Sequence, residues 1–471
     1  MTETLGLIAA SALSLADAVL IEILLFCGFW FLVGAIDDFC VDLIWTFRAI
    51  YRRIRFYRHT GPMKVNQLTP SRSAGILAIF IPTWQEASVI EQMLNRCLTV
   101  WHESADFIIY VGCYPNDHAG AQTIGKAAET DRRIKLVLCE ANGPTTKADC
   151  LNHLWQAMVR DELSGGYKTK AIILHDAEDM VHRDELRLYD ALIERNAVIQ
   201  IPVIPVRVAG SPWISGHYCD EFAESHGKSM VVREALGAPL PLAGVGCAIE
   251  RNMLGSIAIS ASQRPFDSAS LTEDYELGLK IGKLGGKTIL ARIYSEAGDL
   301  VGTKSCFPAT LKTSVRQKSR WLTGIALAGW DRIGWHGGFA QFWMLCRDRK
   351  AIFAALVLVL GYIAVLMIAA MAVLDYAGLH QQSAFPDLVY ALVFANGVFL
   401  IWRLFMRALF VWRLYGPAEA ILSIPRIIVS NTVAIMAARR AVSAYIRHCF
   451  GAELKWDKTA HTHFPSEQRS E

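Results

Sequence analysis

The feature that most constrains this chain is the position of its apolar runs. Residues 18–36 form one run of 19 residues that only Glu22 interrupts, and two more runs cover residues 351–374 and 388–402. A helix needs about 20 such residues to cross a bilayer, so both ends of the chain carry candidate membrane spans. No basic stretch precedes the first run and no small-residue cleavage site follows it, which favours a retained anchor over a signal peptide. Glu22 lies near one end of its run, so an interfacial position and a contact with another helix both remain open.

The basic residues around these runs predict an orientation. Residues 351–402 contain no Lys or Arg, whereas Arg residues cluster just outside that segment and after the first run. By the positive-inside rule, residues 60–345 then lie in the cytoplasm and the 375–387 loop lies outside. Residues 46–59 carry five Arg and no acid, interleaved with aromatic and aliphatic residues. This pattern predicts an amphipathic helix in the headgroup layer.

Residues 417–447 allow two interpretations. The stretch 421–438 is apolar but contains Pro425, Arg426 and Asn431. We favour an interfacial or re-entrant helix over a fourth span. The expected divisions of the chain are an N-terminal transmembrane anchor with a basic interfacial helix at 1–59, a cytoplasmic domain at 60–345, C-terminal transmembrane and interfacial helices at 346–451, and a polar, mobile tail at 452–471.

Composition agrees with a membrane protein. Hydrophobic residues make up 53% of the chain and charged residues 19%, and the charged share is below the ~25% usual for soluble domains. This excludes a disordered chain, a nucleic-acid-coating protein and an ordinary cytosolic enzyme. The 11 cysteines include no CxxC pair, so we expect reduced thiols instead of a disulfide framework or a zinc site.

The middle of the chain, residues 74–300, has a different pattern. Short β-branched runs alternate with helical patterns such as 86–101 and 146–160. The β-branched runs fall at residues 76–82, 106–112, 134–138, 170–176 and 198–206. The alternation predicts an α/β fold with a mostly parallel, doubly wound sheet. Ligands of such sheets bind beyond the carboxyl ends of the strands.

Acidic residues follow three of the predicted strands. Glu86 comes after the first strand, Asp117 after the second, and Asp176, Glu178 and Asp179 after the fourth. The chain has no GxGxxG and no Walker A sequence, so neither a dinucleotide fold nor a P-loop is supported. Carboxylates without a phosphate-cradling loop suggest Mg²⁺ or Mn²⁺ that carries a diphosphate. An acidic helix N-cap is the alternative for the last cluster, and that cluster taken alone favours it.

Two further motifs add weight to a catalytic interpretation. Thr272, Glu273 and Asp274 open a helical stretch, where the alternative is again an N-cap. The second motif is a helix in which i, i+3, i+4 spacing puts three side chains on one face, namely Gln317, Arg320 and Trp321. The alternative for this helix is a basic, aromatic surface that rests on the membrane.

The order of these motifs resembles that in the membrane-bound processive glycosyltransferases of family 2, the cellulose- and hyaluronan-synthase-like group. An Asp after the second strand, an Asp-x-Asp-like cluster, Thr-Glu-Asp and Gln-x-x-Arg-Trp follow one another just before membrane helices. Four short segments are similar in sequence to those of the bacteriophage-adsorption protein B-like inner-membrane glycosyltransferases, namely YPND, HDAEDMVHRDEL, TEDYELGLK and QKSRWLTGI. The resemblance covers about residues 15–450.

This resemblance implies a GT-A fold and inverting, processive transfer of a sugar from a nucleotide-diphosphate sugar, usually a UDP-sugar, to a growing polysaccharide. Matched residue by residue, it places Asp117 against the nucleobase, with Pro82 and Glu86 lining the same pocket. Asp176 and Glu178 would contact the nucleotide and a divalent cation, Mg²⁺ or Mn²⁺. Because this motif reads Asp-Ala-Glu where the family has Asp-x-Asp, Asp179 is the alternative to Glu178 as a metal ligand.

The resemblance also implies the roles of the later motifs. Asp274 would be the general base, with Glu273 beside it. Gly244 and Gly246 would line the acceptor site, where glycine lets a backbone approach a sugar closely; an ordinary loop is the alternative. For Lys147 a phosphate contact is possible, but we favour a surface position. The diphosphate and the acceptor sugar would be held by Gln317, Arg320 and Trp321.

The partners implied are a nucleotide-diphosphate sugar, a saccharide acceptor, membrane lipid and an export partner in the periplasm or outer membrane, with no nucleic acid. The implied location is the bacterial inner membrane. Two alternatives remain in view. Transfer of a single sugar to a lipid carrier is disfavoured by the Gln-x-x-Arg-Trp motif. A non-catalytic subunit of a polysaccharide export complex is disfavoured because every proposed catalytic carboxylate is present.

Overall fold

The computed structural model describes residues 2–102, 104–381, 384–452 and 464–465. This part of the chain contains nine strands, β1 (Ile76–Pro82), β2 (Phe107–Cys113), β3 (Ile134–Leu138), β4 (Thr169–Leu174), β5 (Val198–Gln200), β6 (Val203–Val206), β7 (Cys247–Glu250), β8 (Thr288–Leu290) and β9 (Thr303–Cys306). Seven of them form one sheet in the order β3-β2-β1-β4-β7-β5-β8, and β6 pairs with β9 separately. The predicted α/β fold with a mostly parallel sheet is therefore confirmed.

All five predicted strand runs are strands in the structure. The run 198–206 is divided into β5 and β6 around Pro202, which has no N–H to donate to a sheet. The two halves consequently pair in different sheets. The short strands β7, β8 and β9 were not predicted, because three or four residues carry too little periodicity to stand out.

The direction of β7 matters most for the site. β7 runs antiparallel to both β4 and β5, with Leu174 opposite Cys247. β1, β2 and β4 run parallel to one another, so their carboxyl ends meet at one edge. Because β7 is antiparallel, the segment that precedes it, residues 241–246, also lies at that edge. Segments from four places in the chain thus converge there.

Helices cover the sheet and continue into the terminal regions. They are α1 (Thr2–Arg52), α2 (Arg58–Thr60), α3 (Ala87–Val100), α4 (His118–Thr130), α5 (Lys147–Gly165), α6 (Glu185–Leu192), α7 (Ile214–Glu224), α8 (Met230–Ala235), α9 (Arg251–Ser260), α10 (Glu273–Lys283), α11 (Leu311–Leu322), α12 (Ala328–Ile333), α13 (Phe339–Arg349), α14 (Ala351–Tyr376), α15 (Asp387–Tyr415), α16 (Pro417–Ser423) and α17 (Arg426–Cys449). Side chains alternate along β1. Leu77 and Ile79 therefore pack towards α3 and α6, while Ala78 and Phe80 pack towards α5 and α9.

Four helices of the described residues are long and apolar enough to cross a membrane. They are the N-terminal helix over Ser11–Thr60, α14, α15 and α17. α1 packs against α14 and α15. Directly after the predicted span 18–36, Asp37 and Asp38 pair with cations that flank the C-terminal runs: Lys350 with Asp37 at 2.6 Å, Arg347 with Asp38 at 2.9 Å, and Arg403 with Asp38. The ends of three spans therefore meet at one level, and Glu22 is exposed on α1.

The last long helix, α17, is tied to the central domain at both ends. The Arg426 guanidinium lies 3.1 Å from the carboxylate of Asp220 in α7, and the Tyr445 hydroxyl donates to Asp331 in α12 at 2.5 Å. A helix that contacts the same domain at both ends lies along that domain. This favours the interfacial position expected from the sequence, and the placement of α17 in a membrane stays a prediction.

The tail predicted to be mobile lies mostly outside the described residues. Of residues 452–471, the structure describes 452, 464 and 465. Phe464 is partly buried against the core cluster that joins β1 and α3.

Candidate active site

The acidic segment after β4 lines a pocket of about 140 Å³ at the carboxyl edge of the sheet, and Asp176 and Glu178 are both in its wall. No helix begins at this segment, because α6 starts only at Glu185, with Asp184 at its N-cap. The helix N-cap interpretation of residues 176–179 is therefore wrong. The segment is a loop that brings two carboxylates into the pocket.

Asp179 lies outside this pocket. It is fully buried, 3.1 Å from Nδ1 of His175, whose Nε2 lies 3.2 Å from Glu185. Burial raises the pKa of Asp179 to about 6, although its hydrogen bond with His175 acts in the opposite direction. Burial alone would lower the pKa of His175, but the carboxylates of Glu185 and Asp179 raise it to about 9. The group is an internal ion pair that supports the loop, so Glu178 is the better partner for Asp176.

Lys147 supplies one of the two cations in the wall of the pocket, the other being Arg320. It begins α5, its Nζ lies 2.5 Å from Oδ1 of Asp176, and it donates to the carbonyl of Gly244 at 3.1 Å. The favoured surface position was therefore wrong. Burial alone would lower the pKa of Lys147, but the carboxylates of Asp176, Glu273 and Asp274 raise it well above its usual range. Lys147 is therefore charged at every pH at which the neighbouring carboxylates are charged.

Glu273 and Asp274 begin α10 and line the same pocket. Thr272 holds the N-cap position, but its buried hydroxyl has no hydrogen-bond partner in the described part of the chain. The side-chain cap expected as the alternative is therefore not formed. Burial and the neighbouring Asp274 raise the pKa of Glu273 to about 7. Burial also raises the pKa of Asp274, against the attraction of Lys147.

The glycines before β7 allow a close approach. Gly244 has φ +74°, and a Cβ built on it would lie 2.4 Å from Oδ2 of Asp274. Gly246 has φ +58°, and its Cβ would lie 2.5 Å from the Thr303 hydroxyl oxygen. Neither position has space or backbone geometry for a side chain. An ordinary loop would not require glycine at both positions.

Gln200 holds in place the segment that contains Gly244 and Gly246. Gln200 was not identified from the sequence. Its side-chain nitrogen donates to the carbonyls of Val245 at 2.9 Å and Gly246 at 3.0 Å, while its oxygen accepts from the Ala243 N–H at 3.0 Å. Gln200 is fully buried at the end of β5. The sequence feature that could have identified Gln200 is its position as a polar residue at the end of an otherwise apolar strand.

The motif on α11 reaches the pocket from the side of the membrane helices. Gln317, Arg320 and Trp321 all line it, as the spacing predicted. Buried Oε1 of Gln317, like the Thr272 hydroxyl, has no hydrogen-bond partner among the described residues. Since buried polar groups are nearly always satisfied, these two atoms suit a polar ligand. α11 packs against α17 and has a buried face, so it is not a helix that simply rests on a membrane surface.

The opposite end of the pocket is formed by the segments after β1 and β2. Pro82 and Glu86 line it, as predicted. Asp117 stands behind this wall: it accepts from the Gly120 N–H at 3.1 Å, capping α4, and from the Gln85 N–H at 2.7 Å. It therefore shapes the wall from behind. Two aromatic residues that the sequence analysis did not single out complete this end, Trp84 and Tyr114, whose rings meet edge to face at 5.4 Å.

An aromatic cluster extends from Trp321. Phe222 and Phe307, which also line the pocket, have ring centroids 4.8 Å apart, and Tyr218 stacks on Phe307 at 4.9 Å. Their flat apolar faces could receive a sugar ring. Sequence reasoning found only Trp321, because the others lie on helices and loops far away in the chain.

The side chains available as metal ligands limit the kind of metal site that can form here. Among the described residues, no group of three or more His, Cys, Asp and Glu is placed to hold a metal ion. Mg²⁺ or Mn²⁺ bound with a diphosphate needs only one or two protein carboxylates. Asp176 and Glu178 meet that smaller requirement.

Comparison with known proteins finds similar sequences. Residues 171–376 match the family described as "Glycosyl transferase family group 2". The chain is 33% identical over 458 residues to "Bacteriophage adsorption protein B" of Escherichia coli (strain K12), an alignment that covers 92% of this chain and 61% of that protein. "Bacteriophage N4 adsorption protein B" of Escherichia coli O157:H7 matches to the same extent. The chain thus spans about 61% of the length of these relatives.

A solved structure shares the fold. The mannosyltransferase PcManGT from Pyrobaculum calidifontis, in complex with GDP-Man and Mn2+, matches with a TM-score of 0.52 at 14% identity, over 89% of this chain and 99% of that chain. The similarity confirms the GT-A-type fold. The resemblance stated from the sequence motifs is confirmed by the family match and by the curated relatives.

Proposed function

We propose that this chain, which carries a glycosyl transferase family group 2 domain, moves a sugar from a nucleotide-diphosphate sugar to a growing saccharide at the bacterial inner membrane. The donor in this proposal is a UDP-sugar, and the transfer inverts the anomeric configuration. The observation that carries the proposal is the convergence of Asp176, Glu178, Lys147, Asp274 and Arg320 on one pocket. Such a pocket combines a base with groups that attract a diphosphate.

The nucleotide would enter between the segments after β1 and β2. Trp84 and Tyr114 offer ring faces and edges to a base, and Glu86 offers hydrogen-bond acceptors. Asp117 keeps Gln85 in place at φ +55° and so holds the wall against which the base would lie. In this proposal Asp117 positions the nucleobase pocket from behind.

The diphosphate would lie between Asp176, Lys147 and Arg320. Asp176 and Glu178 would hold a divalent cation, which would offset the charge of the diphosphate when bound. Two neighbouring carboxylates in a loop suit a cation that takes its remaining ligands from phosphate and water. Arg320 can bind phosphate oxygens with two parallel N–H groups, and Gln317 has a buried acceptor beside it.

Asp274 would accept the proton of the attacking hydroxyl. The acceptor oxygen bonds to the anomeric carbon as the bond from that carbon to the diphosphate breaks, and the bonding electrons leave with the diphosphate. A base must lie within hydrogen-bond reach of the hydroxyl. The glycine at position 244 lets the backbone lie against the Asp274 carboxylate, because a Cβ there would come within 2.4 Å of Oδ2 and displace it. Lys147 and Arg320 would stabilise the negative charge where it gathers.

Repeated transfer to one chain requires a surface for the product. Trp321, Phe307 and Phe222 supply neighbouring aromatic faces that would hold the saccharide after each step. The candidate spans on both sides of the domain would place the reaction at the membrane, with the central domain cytoplasmic by the distribution of Arg residues. A periplasmic or outer-membrane partner would then receive the polymer.

The test is transfer by membranes that contain the full chain, incubated with radiolabelled UDP-sugars and Mg²⁺ or Mn²⁺. Wild-type membranes should release UDP and form polymer, and Asp274→Asn should do neither. The matched control is Asp106→Asn, an exposed residue outside the pocket. A product that extracts into organic solvent would indicate transfer to a lipid carrier instead. Absence of UDP release from every sugar would contradict an enzymatic function.

A further inference from the structure

A second and larger cavity lies on the other side of the β6–β9 pair. Its volume is about 2270 Å³, and it is walled by the ends of α1 and α15, by β6 and by the segments that carry β8 and β9. Val203 and Phe222 line both this cavity and the candidate active site. Along β9 the side chains alternate, so that Lys304 lines the large cavity while Ser305 lines the candidate site. The two spaces are therefore neighbours with a shared wall.

The lining of the large cavity is strongly basic. It contains ten Lys and Arg residues and only three acids, Glu234, Asp299 and Glu419. The basic residues come from segments far apart in the sequence and include Arg48, Arg52, Arg292, Lys304 and Arg413. These basic residues do not belong to the solvated face of one helix. They come from several elements, which the tertiary fold brings around a single cavity.

Several of these residues contact groups that carry no negative charge. Arg413 lies over the ring of Trp45 at 5.1 Å, and Arg292 donates to the carbonyl of His226 at 2.9 Å. Nε of Arg48 is buried and has no hydrogen-bond partner among the described residues. A neutral carbonyl and an aromatic ring hold guanidinium groups in place but do not neutralise them.

The acids of the lining compensate little of this charge. Glu419 is already paired with Arg207 at 2.9 Å and with Arg426 at 2.5 Å. Asp299 is exposed. Glu234 is left to face Arg48 and Arg52. Like charges gathered in a partly enclosed space repel one another, so an anion that enters would be bound favourably.

We propose that this cavity binds a phosphate-bearing anion, at a site separate from the one proposed for the sugar donor. Phosphate is the anion that fits best, since the guanidinium fork pairs bidentately with its oxygens and several Arg residues can share one diphosphate. The aromatic and aliphatic residues in the same wall, Trp45 and Phe410 among them, leave room for an apolar or aromatic part of the ligand.

The level of the cavity favours a water-soluble anion over a lipid headgroup. The ion pairs of Asp37 and Asp38 with Arg347, Lys350 and Arg403 mark the ends of the spans. Arg48 follows Asp37 by eleven residues on the same helix, and Arg413 follows Arg403 by ten. At ~1.5 Å per residue the cavity lies about 15 Å beyond that level. In this proposal the basic segment 46–59 lies at the face of the central domain, beyond the headgroup layer in which it was expected from the sequence.

The test uses the purified full chain in detergent, with radiolabelled pyrophosphate as the probe. The variant is Arg48→Gln combined with Arg292→Gln, and the matched control is Arg187→Gln, an exposed residue of α6 outside both cavities. Arg320→Gln weakens phosphate binding at the candidate active site and so separates the two sites. The double variant should lose one class of binding, with affinity at least about tenfold weaker, because two charged hydrogen-bond donors are removed. That class should persist in Arg320→Gln even if the proposed transfer activity is absent.

A second assay identifies the source of the phosphate. The same proteins are placed in nanodiscs of phosphatidylglycerol or phosphatidylcholine, and retained lipid is measured by native mass spectrometry. Preferential retention of phosphatidylglycerol that the double variant loses would assign the site to a lipid phosphate. Pyrophosphate binding that the double variant loses would assign it to a soluble anion. Equal behaviour of wild type and a folded double variant in both assays would overturn the proposal. Should that variant not fold, Arg413→Gln, a substitution at an exposed residue of the cavity wall, replaces it.

Discussion

Nζ of Lys147 lies 2.5 Å from Oδ1 of Asp176 and joins the segment after β4 to the start of α5. Asp176 is also one of the two carboxylates that we propose as ligands of a divalent cation. Lys147 and the cation would therefore compete for the same oxygen until a diphosphate arrives to pair with both. The ion pair holds the pocket in a state prepared for the donor.

Replacement of Lys147 should separate these two effects. We expect Lys147→Met to lower kcat/KM for the donor by about 10- to 100-fold, because a charged contact to the diphosphate is lost. The same variant should need less Mn²⁺ for half-maximal rate, because the competitor for Asp176 is gone. Initial rates measured across a Mn²⁺ series check both, with the exposed Lys126→Met as control. A higher Mn²⁺ requirement would contradict this role of Lys147.

Gly244 should tolerate no side chain. Gly244→Ala would place a Cβ 2.4 Å from Oδ2 of Asp274, so the carboxylate would have to move. We expect loss of at least 100-fold in kcat, on the order of what a displaced general base costs. Gly237→Ala is the matched control, because Gly237 has a similar φ of +70° but nothing within 4 Å of its Cβ position. Transfer assays and a thermal melt of both variants distinguish a blocked site from a strained backbone. Equal losses in the two variants would mean that backbone strain alone is responsible.

The carboxylates after β4 should differ in role. Glu178→Gln should raise the cation concentration needed for activity and leave the melting temperature unchanged, because Glu178 lines the pocket. Asp179→Asn should lower the melting temperature by several degrees, because it removes a buried charge beside His175. Cation titrations and thermal melts in detergent measure the two effects. A raised cation requirement in Asp179→Asn with an unchanged melt would restore Asp179 as the ligand.

The rate should rise with pH over a range that lies above the usual carboxyl pKa. Burial raises the pKa of Asp274, and burial together with Asp274 raises the pKa of Glu273 to about 7. A general base acts in its deprotonated form, so activity is low below the raised pKa and grows as the pH passes through it. A profile of kcat/KM against pH should therefore have its acid limb above the ordinary carboxyl range, which is about 4.

The variant Glu273→Gln tests which carboxyl group sets this acid limb. The charge of Asp274 raises the pKa of Glu273 to about 7, so Asp274 ionises while Glu273 still carries its proton. An acid limb set by Asp274 should therefore stay in place in Glu273→Gln. Glu296→Gln, an exposed acid outside the pocket, serves as the control. An acid limb that moves in Glu273→Gln, but not in the control, would show that Glu273 contributes to it.

Local pattern was enough to predict most of the fold. The β-branched runs at β1, β2, β4 and β5 are strands because their side chains are buried on both faces of the sheet, as β1 illustrates. Gln317, Arg320 and Trp321 share a helix face because 3.6-residue periodicity depends on nothing beyond the helix itself. The position of Lys147 was misjudged because its partner Asp176 lies in another segment, and no local pattern indicates such a partner. Gln200, Trp84 and Tyr114 were missed for the same reason.

The sequence by itself determined the division into terminal apolar helices and a central α/β domain, since hydrophobic periodicity and chain length are local properties. It also determined which residue types could carry a glycosyl transfer. Only the tertiary structure decided which of them meet. The antiparallel course of β7 brings Gly244 against Asp274 and Lys147, and the fold of α1 onto the central domain gathers Arg48 with Arg292 and Arg413. Such contacts join residues distant in the chain, and their formation depends on how whole elements pack.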